Sequence, residues 1–193
     1  MKQLFIISAF IFSVPCFSPD TLVAQTAKGD QLFGVMGTIG QTLPGLFLKS
    51  GRYDLYYQRF LAPRFSLGVN ANFGYSYGYY DVHSNSIGGG IEARYYLLKK
   101  PSTFQPYVFG GLETNWTRVV YPYATTPPIW RGLQANTGVG FDWYLRPDFA
   151  LNARGGIIFQ GIEDGDPNAR WNFKVGATFL LPHKEKKKVP VGN

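Results

Sequence analysis

From residue 65 to residue 79 every second position is apolar. Phe65, Leu67, Val69, Ala71, Phe73, Tyr75, Tyr77 and Tyr79 alternate with Ser66, Gly68, Asn70, Asn72, Gly74, Ser76 and Gly78. A period of two places the two sets on opposite faces of a β-strand. The run is long against the usual strand of about 5–6 residues. The same alternation recurs over residues 87–97, 133–145, 149–159 and 171–181, and less regularly over 32–40, 52–61 and 105–118. The pattern predicts eight strands. Residues 61–64, 99–103 and 146–148 are short, Pro- or charge-bearing connections, as tight turns are. The connections at about 41–51, 80–86, 119–130 and 162–169 are longer and include YPYATTPP and EDGDPN, both strong loop signals. Short turns alternating with long loops predict four sequential hairpins, with the long loops gathered at one end.

Such a chain closes into an all-β, eight-stranded antiparallel up-and-down barrel, which is either soluble or membrane-embedded. Side-chain size decides between them. Eight strands leave an interior just wide enough to be filled by side chains. The polar set is mostly Gly, Ser and Asn, whereas the apolar set is rich in Phe, Tyr and Trp and would overfill it. A soluble exterior also needs abundant Lys and Glu, which these strands lack. The apolar set is therefore expected to face lipid, making the barrel transmembrane. Tyr75, Tyr77, Tyr79, Trp116, Tyr121, Trp130 and Trp171 fall at the loop ends of strands, and Phe60, Phe65, Phe104, Trp143, Phe149 and Phe179 at the turn ends. Two aromatic belts of this kind mark the interfaces of a membrane barrel.

Composition agrees. Aromatics make up 17% and charged residues 16% of the 193 residues, the latter well below the roughly 25% of soluble domains. The N-terminus adds an export signal: Lys2, an apolar run over residues 4–14, then a polar stretch ending in TLVAQ. That order reads as a signal peptide over residues 1–24, and the run is too short for a membrane helix. Cleavage is expected after Ala24, with Ala27 as second candidate. Cys16 follows Pro15, which fits a lipid-attachment site badly, so this single Cys is expected to leave with the signal. The barrel domain then covers residues 25–181, and residues 182–193 form a basic periplasmic tail.

The chain resembles the small eight-stranded outer-membrane barrels of the OmpA/OmpX type, in the porin-like outer membrane protein β-barrel family, over roughly residues 30–181. The motif QPYVFGGLE, residues 105–113, resembles the fifth-strand region of that family. The last strand resembles a barrel-assembly signal, a polar residue, a spaced Gly and two spaced hydrophobics: Lys174, Gly176, Phe179 and Leu181. Such signals usually end the chain, whereas here PHKEKKKVPVGN follows. The resemblance implies an outer-membrane location in a Gram-negative-type bacterium, monomeric, with both termini periplasmic. It implies as partners the assembly machinery, outer-membrane lipid and lipopolysaccharide, and an extracellular ligand that the loops do not identify.

The inward set collects Asp54, Glu92, Arg94, Glu113, Asp142, Arg154 and Lys174, with Arg52 and Arg170 as further candidates. Ionisable groups in a low-dielectric lumen need partners. Both signs occur in similar numbers, so a structural network of ion pairs is the expected reading, with a gated polar path as the sharper one. A catalytic pair such as Glu92 and Glu113 has no substrate placed beside it. The segment DVHSNS, residues 81–86, sets His83 next to Ser84, which an extended chain points to opposite faces. His183 lies past the last strand, and residues 88–90 put their three Gly within a strand rather than in a phosphate loop. No catalytic residue, metal site or cofactor is expected.

The formal charge is +7. Lys2 and Asp20 cancel, the tail carries four Lys against Glu185, and +4 remains on the barrel. A nucleic-acid binder would gather this charge on one face, and export argues against that partner. Arg118, Arg131 and Arg170 near the loop ends are instead candidates to meet lipopolysaccharide phosphates. The role expected is structural or surface interaction through the loops; a narrow channel for small solutes and a lipid A-modifying enzyme are the alternatives.

Overall fold

A computed structural model describes residues 28–38, 47–78, 81–99, 102–122, 129–160 and 168–182. The expected signal peptide and cleavage sites, Cys16, His183 and the basic run after residue 182 lie outside the described residues. Eight strands run β1 (Gln31–Thr38), β2 (Phe47–Ala62), β3 (Phe65–Gly78), β4 (His83–Tyr96), β5 (Phe104–Val120), β6 (Ile129–Arg146), β7 (Phe149–Gln160) and β8 (Asn168–Leu181). Each pairs antiparallel with the next, and β8 returns to β1 to close the barrel. Closure leaves no sheet edge, so the backbone groups of the wall are paired within the wall.

Several strands run further than their alternation. Strand β2 begins at Phe47 rather than at residue 52, and β4 at His83 rather than 87, so much of each expected loop is ladder. Likewise β5 runs to Val120, and β6 starts at Ile129. Ladder hydrogen bonds do not require an apolar face, so pairing continues past the level where the alternation stops. At the opposite end the β2–β3 and β6–β7 turns are tight, and each sits beside a register shift, between Phe60 and Ala62 and between Tyr144 and Arg146.

The two faces separate cleanly. Val69 is 54% exposed on the outside, while the adjacent Asn70 is 8% exposed on the inside. Leu55, Phe73, Ile87, Ile91, Leu112, Val139, Leu151 and Phe173 all lie on the outer face. An apolar band of this extent around a closed barrel is the surface of a membrane-embedded wall.

The aromatic belts need one correction. Phe60 is buried inside the barrel, because its strand neighbours Arg59 and Leu61 hold the outward positions. The interior also carries more bulk than a Gly, Ser and Asn lining. At the turn end Leu32, Phe60, Tyr96, Tyr107, Phe109, Tyr144, Ala150 and Leu180 form a buried cluster. Phe60 and Tyr107 each lie against Tyr96, with ring centroids 5.3 and 5.4 Å apart.

Candidate functional site

Above this aromatic base the charged residues converge. Asp54, Glu92, Arg94, Glu113, Asp142, Arg154 and Lys174 are all buried on the inner face, supplied by β2, β4, β5, β6, β7 and β8. Arg52 joins them at 18% side-chain exposure. Arg170 does not. It stands opposite Ile158 on the inner side of the wall but at the exposed loop end, above the network.

Glu92 is the centre of one cluster. Its Oε1 accepts from Arg94 Nε at 2.8 Å and from Gln58 Nε2 at 3.3 Å, and its Oε2 pairs with Arg154 Nη1. The Arg94 guanidinium lies between the rings of Tyr56 and Tyr107, 4.4 and 5.0 Å from their centroids, and Arg154 lies 4.9 Å from the Phe109 centroid. Ring faces stabilise these cations where water does not reach. Asp54 and Glu113 form the second cluster. Arg52 donates from Nε to Asp54 at 3.1 Å and from Nη2 to Glu113, and Lys174 pairs with Asp54. Asn70 and Asn136 donate to the other Glu113 oxygen, at 3.1 and 2.7 Å.

Asp142 stands apart from the ion pairs. It accepts from Tyr96 Oη at 2.9 Å and from Asn152 Nδ2, and Asn152 Nδ2 also reaches the Tyr107 hydroxyl at 2.9 Å. Four cations (Arg52, Arg94, Arg154, Lys174) therefore face four carboxylates (Asp54, Glu92, Glu113, Asp142). The group is formally neutral, which is the condition for burying charge at tolerable cost.

Two glycines let these side chains meet. Gly68 stands in register between Gln58 and Glu92, and Gly90 between Asn70 and Glu113. In each case the flanking side chains hydrogen-bond across the bare strand. A Cβ on Gly68 would strike the Tyr57 carbonyl, and one on Gly90 the Leu112 carbonyl. From the sequence Gly68 belongs to the small polar set that fits the lumen, and Gly90 to three in-strand glycines that mark a bend or close approach. Their role appears only once the register places a partner on either side.

Toward the loops the lining changes to amides. Asn72, Asn115, Gln134 and Asn136 are buried, and each has a side-chain N or O atom without a hydrogen-bond partner in the structure. A cavity bounded by Asn136, Arg154, Asn172 and Lys174 measures about 10 Å³, room for about one water.

His83 and Ser84 stand at the start of β4, not in a loop. Ser84 points inward, its Oγ 2.6 Å from Ser76 Oγ, while the His83 ring packs outside against Tyr77 at 6.1 Å. The wall lies between this imidazole and that hydroxyl, so the pair forms no nucleophile and base. Among the described residues no group of three or more His, Cys, Asp or Glu is arranged to hold a metal.

The barrel superposes on solved membrane barrels. The N-terminal β-barrel domain of Pseudomonas aeruginosa OprF matches with a TM-score of 0.53 at 19% identity, covering 81% of this chain and 100% of that one. The outer membrane protein OprG from Pseudomonas aeruginosa matches with a TM-score of 0.52 at 15% identity, covering 82% and 99%. A major outer membrane protein from Thermus thermophilus matches with a TM-score of 0.51 at 12% identity, covering 79% and 99%. The fold is that of a small outer-membrane barrel. No family model matches the chain, and no curated protein sequence matches it. The likeness is thus one of architecture, and individual roles do not carry across at these identities.

The remaining sequence-derived residues take these places. In β8 Lys174 points into the lumen and Gly176 pairs with Met36 and Asn152. Phe179 and Leu181 face outward at the turn end. Arg118 of β5 and Arg131 of β6 face outward near the loops, whereas Arg170 of β8 stands on the inner side of the wall.

Proposed function

We propose that this chain is an integral outer-membrane protein with a closed lumen, working as a monomer through its outer surface and long loops. The observation that carries the reading is the formally neutral set of Arg52, Arg94, Arg154 and Lys174 with Asp54, Glu92, Glu113 and Asp142, buried in the interior above an aromatic base. A solute crossing the barrel would have to break charge-assisted pairs in a low-dielectric space. Open porins use about sixteen strands or more. Export by a signal peptide and insertion by the assembly machinery, reading Lys174, Gly176, Phe179 and Leu181 in β8, complete the proposal. An extracellular ligand of the loops is part of it, with its chemistry unassigned.

Planar-bilayer recording of the refolded protein tests the closed lumen. The expected result is no steady conductance from the unmodified chain. A stable open level would promote the narrow-channel reading instead. Migration on a detergent gel that differs before and after boiling is the accompanying check that the barrel is folded.

A further inference from the structure

The outer face of β4, β5 and β6 differs from the rest of the wall. Trp116 pairs with Arg131, and Arg118 with Ile129, so the two arginines sit diagonally beside each other on the outside. Asn85 of β4 stands next to Arg118 and Ile87 next to Trp116. Neither arginine forms an ion pair among the described residues. No described Asp or Glu shares this outer face; Asp81 lies in the β3–β4 connection. Two adjacent guanidiniums without an ion-pair partner among the described residues, on the rim of an apolar band, are placed to take an external anion.

Their height identifies where that anion resides. Phe104 and Trp116 lie on the same outward row of β5, twelve positions apart. At about 3.3 Å per residue and a tilt of about 40°, that is roughly 30 Å of height. Phe104 at the turn-end belt thus places Trp116 at the opposite interface and Arg118 just beyond it.

A second feature lies below. A groove of about 290 Å³ opens on the outer face between Leu67, Ile91, Ala93, Gly110 and Leu112. It exists because Ala93 and Gly110 are the small residues of the row; a Cβ built on Gly110 meets only the Asn136 carbonyl, at 3.8 Å. Gly110 is six residues below Trp116 on β5, or about 15 Å by the same rise and tilt. That is half of a hydrocarbon core about 30 Å thick, the depth an acyl chain covers in one leaflet.

We propose that the outer face of β4–β6 seats one phosphorylated glycolipid of the outer leaflet. Arg118 and Arg131 hold its phosphate, Asn85 and Trp116 flank the sugar, and an acyl chain descends over Gly110 into the groove. The seat rests on the outer-membrane reading above and adds to it a ligand class and an address on the wall.

Native mass spectrometry of the detergent-solubilised full chain tests this, with diphosphoryl lipid A, dephosphorylated lipid A and phosphatidylglycerol as probes. Diphosphoryl lipid A is expected to be retained in preference to both others. The double variant Arg118→Gln/Arg131→Gln should lose about tenfold or more in retention, as expected when charge-assisted contacts are removed. Gly110→Leu should weaken retention by about threefold while keeping the preference for phosphate, since it fills the groove only. Arg59→Gln, at the opposite interface, should change nothing. Unaltered retention in the double variant, or equal retention of dephosphorylated lipid A, overturns the seat. Equal retention of phosphatidylglycerol reduces it to a general anionic patch and overturns the glycolipid assignment. Heat-modifiable migration of each variant shows that the barrel is folded, so loss of the seat is distinguishable from loss of the membrane barrel.

Discussion

Tyr96, Tyr107 and Tyr144 fill the barrel interior at the turn end, whereas Asn72, Asn115 and Gln134 line it toward the loops. The base is packed ring against ring, and Tyr96 and Tyr107 also complete the polar contacts of Asp142 and Asn152. The mouth is polar, and several of its amide atoms have no protein partner. The charged network lies between them. The contrast is one of side-chain bulk and ring packing. Tyr96 and Tyr107 satisfy Asp142 and Asn152 within the base, while Tyr144 Oη and the Arg94 Nη atoms, like the amides above, have no hydrogen-bond partner. The amides toward the loops that lack a protein partner lose no protein hydrogen bond through those atoms when replaced, so substitution there is expected to cost little.

The strongest way to break this arrangement is to remove the carboxylate that two buried arginines share. Glu92→Ala strips both Arg94 and Arg154 of their acid and should cost about 3–5 kcal/mol. Urea unfolding in lipid vesicles measures it. A cost below that of Glu113→Ala would contradict the geometry, since the Arg52 left by the second change is partly exposed and can turn to water. Tyr107→Ala should follow at about 3 kcal/mol, because it leaves a cavity in the base and removes one ring from Arg94. The same unfolding assay applies, with bilayer recording to ask whether the network alone still blocks current; it should.

Outside the barrel, Val69→Arg puts a charge near mid-height on the lipid face and should cost about 2–3 kcal/mol. The smallest effect is expected at the mouth. Asn115→Ala removes an amide with no protein partner and should cost less than about 1 kcal/mol. Equal costs for Val69→Arg and Asn115→Ala would mean that inside and outside are wrongly assigned. Equal costs for Tyr107→Ala and Asn115→Ala would remove the distinction between base and mouth.

Much of this was legible in the residues themselves. The 65–79 run announces β3 within one residue of its end, because period-two alternation has no other common cause. Strand number, short and long connections and the lipid-facing set follow from the same period. The identity of the lumen charges follows too, since parity along a strand is local. The loop-side ends of β2 and β4 were not legible, because the ladder outlasts the apolar face. Phe60 was also misplaced: its noisy segment offered two parities, and an aromatic near a strand end suits either a belt or a plug.

By itself, then, the chain determined an eight-stranded wall with one face for lipid and one for a crowded polar interior, since alternation and side-chain volume act over neighbouring residues. Only the tertiary structure decided which charges meet. Arg52 and Glu113 lie 61 positions apart, and Arg154 and Glu92 lie 62 apart. Closure of the ring and the register across it bring them together, and no local pattern encodes a distance across the lumen. The same holds outside, where Arg118 and Arg131 become neighbours of Trp116 and stand above the Gly110 groove through the β5–β6 register. Pairing between strands turns separate positions into one surface.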